Sequence, residues 1–228
     1  MPTNSYEIRI CDSCGLRYPL LEGHPFGIRC PVCAGETHVA LRRQLSTEPG
    51  PIRLSALNTT KQEKLRDLQD SHSFTANLAV LLDNLRSAWN VGSILRSADG
   101  FGFNHVYLSG ITPTGDNEAV TKTSLGAEDA VPWSYHKDAV KLVKGLKAEG
   151  WKVYALEDDP RSLLLSQFPH SQSPNAVVLI VGNEITGVDP ELLDLCDKIF
   201  YIPMRGEKKS FNVAIAFGVA AYAIGTQK

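Results

Sequence analysis

Four of the five cysteines fall in two short signatures, "CDSC" (Cys11, Cys14) and "CPVC" (Cys30, Cys33), with fifteen residues between them. Two Cys-x2-Cys pairs at this separation are a zinc-site pattern. Each pair sits on a tight turn, helped by Gly15 and by the flanking Pro31 and Gly35, so that two thiolates can point at one ion. Two such turns complete a tetrahedral sulfur shell with no open coordination position, which suits a structural metal and excludes a zinc hydrolase. A ribbon this short has little core, so the metal would supply most of its folding free energy. The alternative of two disulfides is disfavoured because no secretory signal precedes the cysteines. His24 and His38 are read as surface residues rather than replacement ligands, and Cys196 as a small buried hydrophobe.

A second set of polar residues lies in three ordered segments. "NVGSILRSADGFGF" places Asn90 and Arg96 in one helical stretch, where six positions put them roughly 240° apart. The spacing therefore predicts Asn90 as the helix N-cap, with Arg96 on a later turn. "LIVGNEITGVDP" runs an apolar strand into Gly182, Asn183 and Glu184. "SFNVAIAFGVAAYAIG" opens on Ser210, Phe211 and Asn212 and continues as a helix apolar around its whole circumference. Such a helix must be buried on most sides. Its small residues Ala214, Ala216, Gly218, Ala220 and Ala221 permit close packing against a sheet or a second subunit, and its free N-terminal N–H groups can face a ligand.

The elements that must position these residues are legible as apolar runs of strand length, "NLAVLLD", "HVYLSG", "VPWSYH", "KVYALE", "AVVLIVG" and "KIFYIP", separated by helical stretches. One of those stretches, "DAVKLVKGLKAEG", ends on Gly150 as a C-cap. Near-continuous hydrophobic strands alternating with helices predict an α/β fold around a mostly parallel sheet with helices on both faces. Ligands bind such sheets beyond the carboxyl ends of the strands. That rule singles out Asp83-Asn84, Ser109-Gly110, Glu157-Asp158, Gly182-Asn183-Glu184 and the stretch from Pro203 to Gly206. The expected organisation is a zinc-ribbon-like domain at 1–45, a linker with a short surface helix at 46–76, and the α/β domain at 77–228.

The formal charge of −2 excludes a protein that coats nucleic acid by global charge, though local basic groups remain. These are Arg42, Arg43 and Arg53, then Lys61, Lys64 and Arg66, and finally Arg205, Lys208 and Lys209. No run approaches the roughly 18 consecutive apolar residues of a membrane span, so no membrane partner and a cytoplasmic location are expected. "GFGF" precedes a strand instead of opening a helix, and no P-loop signature occurs, which argues against nicotinamide and phosphoryl-transfer chemistry.

Taken in order, Asn-x-Gly…Arg-Ser-Ala…Phe-Gly, then Gly-Asn-Glu-x-x-Gly with Cys-Asp and Ile-Pro-Met, then Ser-Phe-Asn-Val resemble the three motifs of the SpoU/TrmH branch of the SPOUT methyltransferases. "KTSLGAEDAVPW" adds to the likeness through Ser124, Gly126 and Ala127, and the resemblance covers about residues 77–226. It implies a homodimer whose C-terminal segment forms a deep trefoil knot that holds S-adenosylmethionine. It also implies 2'-O-ribose methylation of tRNA or rRNA, with Arg96 at the target nucleotide and Asn90, Glu184, Ser210 and Asn212 shaping the site. Groups at Gly182, Asn183, Ile202, Met204, Ser210, Phe211 and Asn212 match positions that hold the cofactor in that family. Phe211 stands where Leu is usual, and Ala214 where a second Ser is common. A non-catalytic RNA-binding or ribosome-associated module on the same fold is the alternative, and the intact polar set speaks against it. The ribbon lies outside the resemblance; it is expected to dock RNA and to leave cofactor binding to the main domain.

Overall fold

The computed structural model describes residues 5–21, 28–44, 77–168 and 176–225. The expected linker and surface helix at 46–76, His24, Arg53, Lys61, Lys64 and Arg66 lie outside the described residues. Among the described residues no helix is long and apolar enough to cross a membrane.

The cysteine-bearing segment forms three strands, β1 (Ser5–Cys11), β2 (Arg17–Leu21) and β3 (Thr37–Gln44), paired antiparallel in the order β2-β1-β3. Its core is small: Cys11, Leu16, Tyr18 and Cys30 are buried, with Ile111 of the main domain packed against them. The ribbon is thus tied down by its neighbour as well as by its cysteines.

The main domain contains β4 (Asn77–Asp83), α1 (Ala88–Gly100), β5 (His105–Ser109), α2 (Glu118–Ser124), α3 (Ala127–Ala130) and β6 (Trp133–His136). It continues through α4 (Ala139–Ala148), β7 (Lys152–Leu156), β8 (Leu163–Leu164), β9 (Ala176–Val181), α5 (Pro190–Leu195), β10 (Lys198–Tyr201) and α6 (Val213–Gly225). Seven strands form one sheet in the order β6-β5-β4-β9-β7-β10-β8, and every pairing is parallel. Side-chain alternation sorts each central strand onto two faces. Leu78, Val80 and Leu82 of β4 pack with Val91, Ile94 and Leu95 of α1 and with Phe217, Ala220 and Ala221 of α6. Ala79 and Leu81, one position out of step, pack with Val140 and Val143 of α4 and Leu192 of α5 on the opposite face. The six apolar runs are all strands, and β4 and β9 carry the doubly covered centre, as continuous hydrophobicity requires.

Two details add to the sequence reading. β8 was not foreseen, because a two-residue edge strand carries no periodic pattern. Helix α6 is not enclosed by its own chain: Ile215, Val219 and Tyr222 are 58%, 42% and 62% exposed. Their i, i+4, i+7 spacing makes one apolar stripe. Gly150, by contrast, follows α4 with φ of 90°, a left-handed position that suits glycine past a helix end.

Candidate active site

All strands of the sheet run in parallel, so their carboxyl ends share one edge, and the main cavity lies there. It measures about 290 Å³, near the lower end of small-molecule sites. Three loops surround it: Leu156–Asp158 after β7, Gly182–Gly187 after β9, and the segment after β10 that contributes Ile202, Met204, Ser210, Phe211 and Asn212. Of the residues expected to hold the cofactor, Gly182, Asn183, Ile202, Met204, Ser210, Phe211 and Asn212 all line this cavity. Glu184 lines it as well.

The loop after β9 is a tight turn. Asn183 and Gly187 exchange backbone hydrogen bonds of 3.1 and 2.9 Å, while the Asn183 Oδ1 accepts from the N–H groups of Ile185 and Thr186. Gly182 lies beneath this turn, where a Cβ would sit 2.2 Å from the Val188 nitrogen and 2.3 Å from the Gly187 carbonyl carbon. Only glycine lets the two backbone stretches approach so closely.

Glu184 joins this loop to the start of α1. Its carboxylate accepts from the backbone N–H of Arg86 at 2.9 Å and of Ser87 at 3.1 Å, and from the Asn90 Nδ2 at 2.9 Å. Burial opposes its charge, but the Arg86, Asn90 and Ser87 donors outweigh it and hold the carboxyl below its ordinary range. The Asn90 Oδ1 in turn accepts from the Asn212 Nδ2 at 3.0 Å. Asn212 caps α6 with its other end, its Oδ1 accepting from the Ala214 N–H at 2.9 Å. One hydrogen-bonded chain, Glu184–Asn90–Asn212, therefore closes the three sequence segments on one another.

This chain corrects the expected role of Asn90. Ser87 is the N-cap of α1 and accepts from the Asn90 N–H, so Asn90 sits inside the first turn. Its amide is free of capping duty and serves the link between Glu184 and Asn212. Arg96 is not brought to the main cavity. Two turns further along α1, it lines a second recess of about 270 Å³ with Asp99, Ser124, Leu125, Gly126, Ala127 and Ala130. The guanidinium is exposed, and no described carboxylate pairs with it. The recess gathers the "KTSLGAEDAV" segment around Arg96.

Glu157 is the wall residue that sequence reasoning flagged only as a strand end. Its Oε2 accepts from the Val188 N–H at 2.9 Å, and burial raises its pKa. Position after an apolar run was the available signal, because no motif surrounds it.

The cysteines form a separate centre. Cys11, Cys14, Cys30 and Cys33 are free cysteines whose sulfur atoms all lie within 4.8 Å of one another. Sγ separations of 3.5 Å (Cys11–Cys33) and 3.7 Å (Cys14–Cys30) approach the roughly 3.8 Å edge of a tetrahedron with metal–sulfur bonds of about 2.3 Å. The Cys14 N–H points at the Cys11 sulfur and draws its pKa down to about 6. The Cys14 thiol is instead pushed up by burial and the Cys33 thiol by the neighbouring sulfurs, which cannot all carry charge without a cation between them. His38 pairs with Asp12 at 2.6 Å instead of joining the cluster.

Comparison with known proteins gives the same outline. The family model described as the SpoU rRNA Methylase family matches residues 77–222. The chain is 30% identical over 198 residues to the 23S rRNA (guanosine(2553)-2'-O)-methyltransferase RlmP of Bacillus subtilis, covering 86% of this chain and 72% of that one. It is 32% identical to the tRNA (guanosine(18)-2'-O)-methyltransferase of Thermus thermophilus, over 67% of this chain and 76% of the other. Among solved structures, the AdoMet-bound rRNA methyltransferase of Sinorhizobium meliloti superposes with a TM-score of 0.61 at 28% identity, covering 65% of this chain. This chain spans 55% of the length of that S. meliloti protein. The A. aeolicus TrmH/SpoU tRNA modifying enzyme superposes with a TM-score of 0.59 at 27% identity, over 65% of this chain and 74% of that one. With a parallel sheet, a cavity at its carboxyl edge and a family match across most of the α/β domain, the chain belongs to the SpoU rRNA methylase family.

Proposed function

We propose that this protein is an S-adenosylmethionine-dependent RNA methyltransferase that modifies a ribose 2'-oxygen of tRNA or rRNA. The observation that carries the reading is the Glu184–Asn90–Asn212 link, which joins the three segments at one open cavity. When bound, S-adenosylmethionine supplies a methyl group on a positively charged sulfur. Gly182, Ile202, Met204 and Phe211 would hold that molecule by backbone groups and apolar contact, and Ser210 and Asn212 border it at the start of α6. Orientation and exclusion of water then matter more than a strong oxyanion hole, because opposite charges cancel as the methyl moves. A guanidinium with a pKa above about 12 is a poor base. Arg96 instead stabilises the forming alkoxide or the adjacent phosphate. Calorimetric titration with S-adenosylmethionine is expected to give saturable binding; a protein with correct folding and no binding would contradict the reading.

The active unit proposed is a homodimer working in the cytoplasm. Ile215 and Val219 of α6 and Trp89 of α1 are exposed apolar groups on packed helices, and a second copy would cover them. A partner would also explain why Arg96 stands apart from the cavity of its own chain. Sedimentation is expected to give about twice the 24.9 kDa chain mass, and Ile215→Asp to shift it toward the monomer. A wild-type monomer at micromolar concentration would contradict this assembly. The trefoil knot belongs to the same reading. It is supported by the segment from Ile202 to Asn212, which leaves β10 and lies against the loop after β9 before α6 packs on α1.

Zinc is the metal proposed for Cys11, Cys14, Cys30 and Cys33, since four thiolates at tetrahedral spacing match its preferred structural site. About one zinc ion per chain is expected by elemental analysis. Chelation is expected to release the amides of β1 to β3 to fast hydrogen exchange while β4 and β9 stay protected. Unchanged ribbon protection after complete metal removal would contradict the metal's structural role.

A further inference from the structure

The ribbon was expected to leave cofactor binding to the main domain, yet one of its side chains reaches into the scaffold behind the cavity. Arg17, the first residue of β2, donates from Nε to Asp189 Oδ2 at 2.7 Å and from Nη2 to Asp189 Oδ1 at 3.1 Å. Both side chains are buried, at 7% and 2% exposure, and Arg17 is the only ion-pair partner of Asp189 among the described residues. A second carboxylate, Glu191, stands 3.2 Å from the same guanidinium at the surface.

From Asp189 the contacts run straight to the cavity wall. The Asp189 N–H donates to Asp83 Oδ2 at 2.9 Å, and Asp83 Oδ1 accepts from the Asn84 Nδ2 at 2.8 Å. The Asn84 carbonyl accepts from the Asn183 Nδ2 at 2.7 Å, and Asn183 organises the turn that lines the cavity. Every member between Arg17 and that turn is buried. The loop is pinned at both ends by this chain, Asn183 at one and Asp189 at the other. Backbone contact reinforces the dock: the Arg17 N–H donates to the Lys137 carbonyl at 3.0 Å. A Cβ on Gly110 would sit 2.8 Å from the Arg17 carbonyl oxygen and 1.9 Å from Asn84 Oδ1.

We propose that Arg17 is a positioning residue for the cofactor cavity: through Asp189, Asp83 and Asn84 its guanidinium fixes the Asn183–Gly187 turn that forms one wall. The physical reason is charge. Asp83 and Asp189 are buried acidic side chains joined through the Asp189 N–H; burial and the neighbouring Asp189 charge push the Asp83 carboxyl up to about 7, while Arg17 is the cation that pairs with Asp189. Without it the Asp189 charge is stranded in a buried site, and the backbone the two residues anchor is the cavity wall. The ribbon thereby becomes part of the methyl-donor site as well as a neighbour of it. The inference rests on the methyltransferase reading only for the identity of the ligand, not for the coupling between ribbon and loop.

The test uses the full chain with its metal retained, comparing wild type, Arg17→Met, Arg17→Lys and the double variant Arg17→Met with Asp189→Asn. Hydrogen exchange without cofactor is expected to speed up by about tenfold across residues 183–188 in Arg17→Met, with α4 unchanged. In the same variant the KM for S-adenosylmethionine is expected to rise by about tenfold while kcat at saturating cofactor stays within about twofold. Arg17→Lys should fall between, because a point charge replaces a two-pronged contact. The double variant should recover part of the protection, since it removes the stranded buried charge; a mere packing role for Arg17 gives no such rescue. Unchanged exchange over residues 183–188 in metal-loaded Arg17→Met overturns the proposal, and Arg17→Lys carries the same reading if Arg17→Met fails to fold. Wild-type protein that binds no S-adenosylmethionine would sink the proposed function instead, leaving the exchange result to decide the coupling.

Discussion

Gly182→Ala is expected to abolish measurable binding of S-adenosylmethionine and to cost about 3 kcal/mol of folding stability, at the upper end of overpacking. The added methyl would meet backbone, the Val188 nitrogen at 2.2 Å and the Gly187 carbonyl oxygen at 2.6 Å. No rotamer change relieves a clash with main chain. The turn from Asn183 to Gly187 must lift, which breaks its paired hydrogen bonds and draws Glu184 away from Arg86, Ser87 and Asn90. Denaturant unfolding with calorimetry checks both effects, and a variant that binds cofactor like wild type would refute this account of the wall.

Arg96→Ala is expected to lower kcat by about 10²- to 10³-fold, the range for removing one preorganised charge-stabilising donor. Cofactor affinity should change by less than about twofold, because Arg96 lines a different recess from the donor cavity. Folding stability should also hold, since the side chain is exposed and no described carboxylate loses a partner. Arg96→Lys should recover little, as an ammonium cannot reproduce the planar fork of donors. Loss of cofactor binding in Arg96→Ala would instead place this residue at the donor site.

The central strands were legible in the sequence because burial on both faces leaves runs such as "NLAVLLD" and "AVVLIVG" with no polar interruption. The same logic left open what covers α6. An apolar circumference reads as enclosure, yet Ile215 and Val219 stay exposed on the single chain, and pattern alone does not say whether a sheet or another subunit covers a face. Asn90 was misplaced for a local reason. "RSAWN" offers two good capping residues three positions apart, and the choice of Ser87 rests on Glu184, 94 positions beyond Asn90, engaging the Asn90 amide. Arg17 had no local signal at all. Its partner Asp189 lies 172 positions away, and a single long-range ion pair leaves no periodicity or spacing to read. The cavity residues were found by motif likeness and by their place after strands. That they converge on one cavity follows from the common direction of all seven strands.

The most direct measurement is nucleoside mass spectrometry of tRNA and rRNA incubated with the protein and isotopically labelled S-adenosylmethionine. The labelled methyl is predicted on a ribose 2'-oxygen, with the signal lost in Arg96→Ala. Label on a base, or none at all from protein that demonstrably binds the donor, would contradict the assignment of this cavity to ribose methylation.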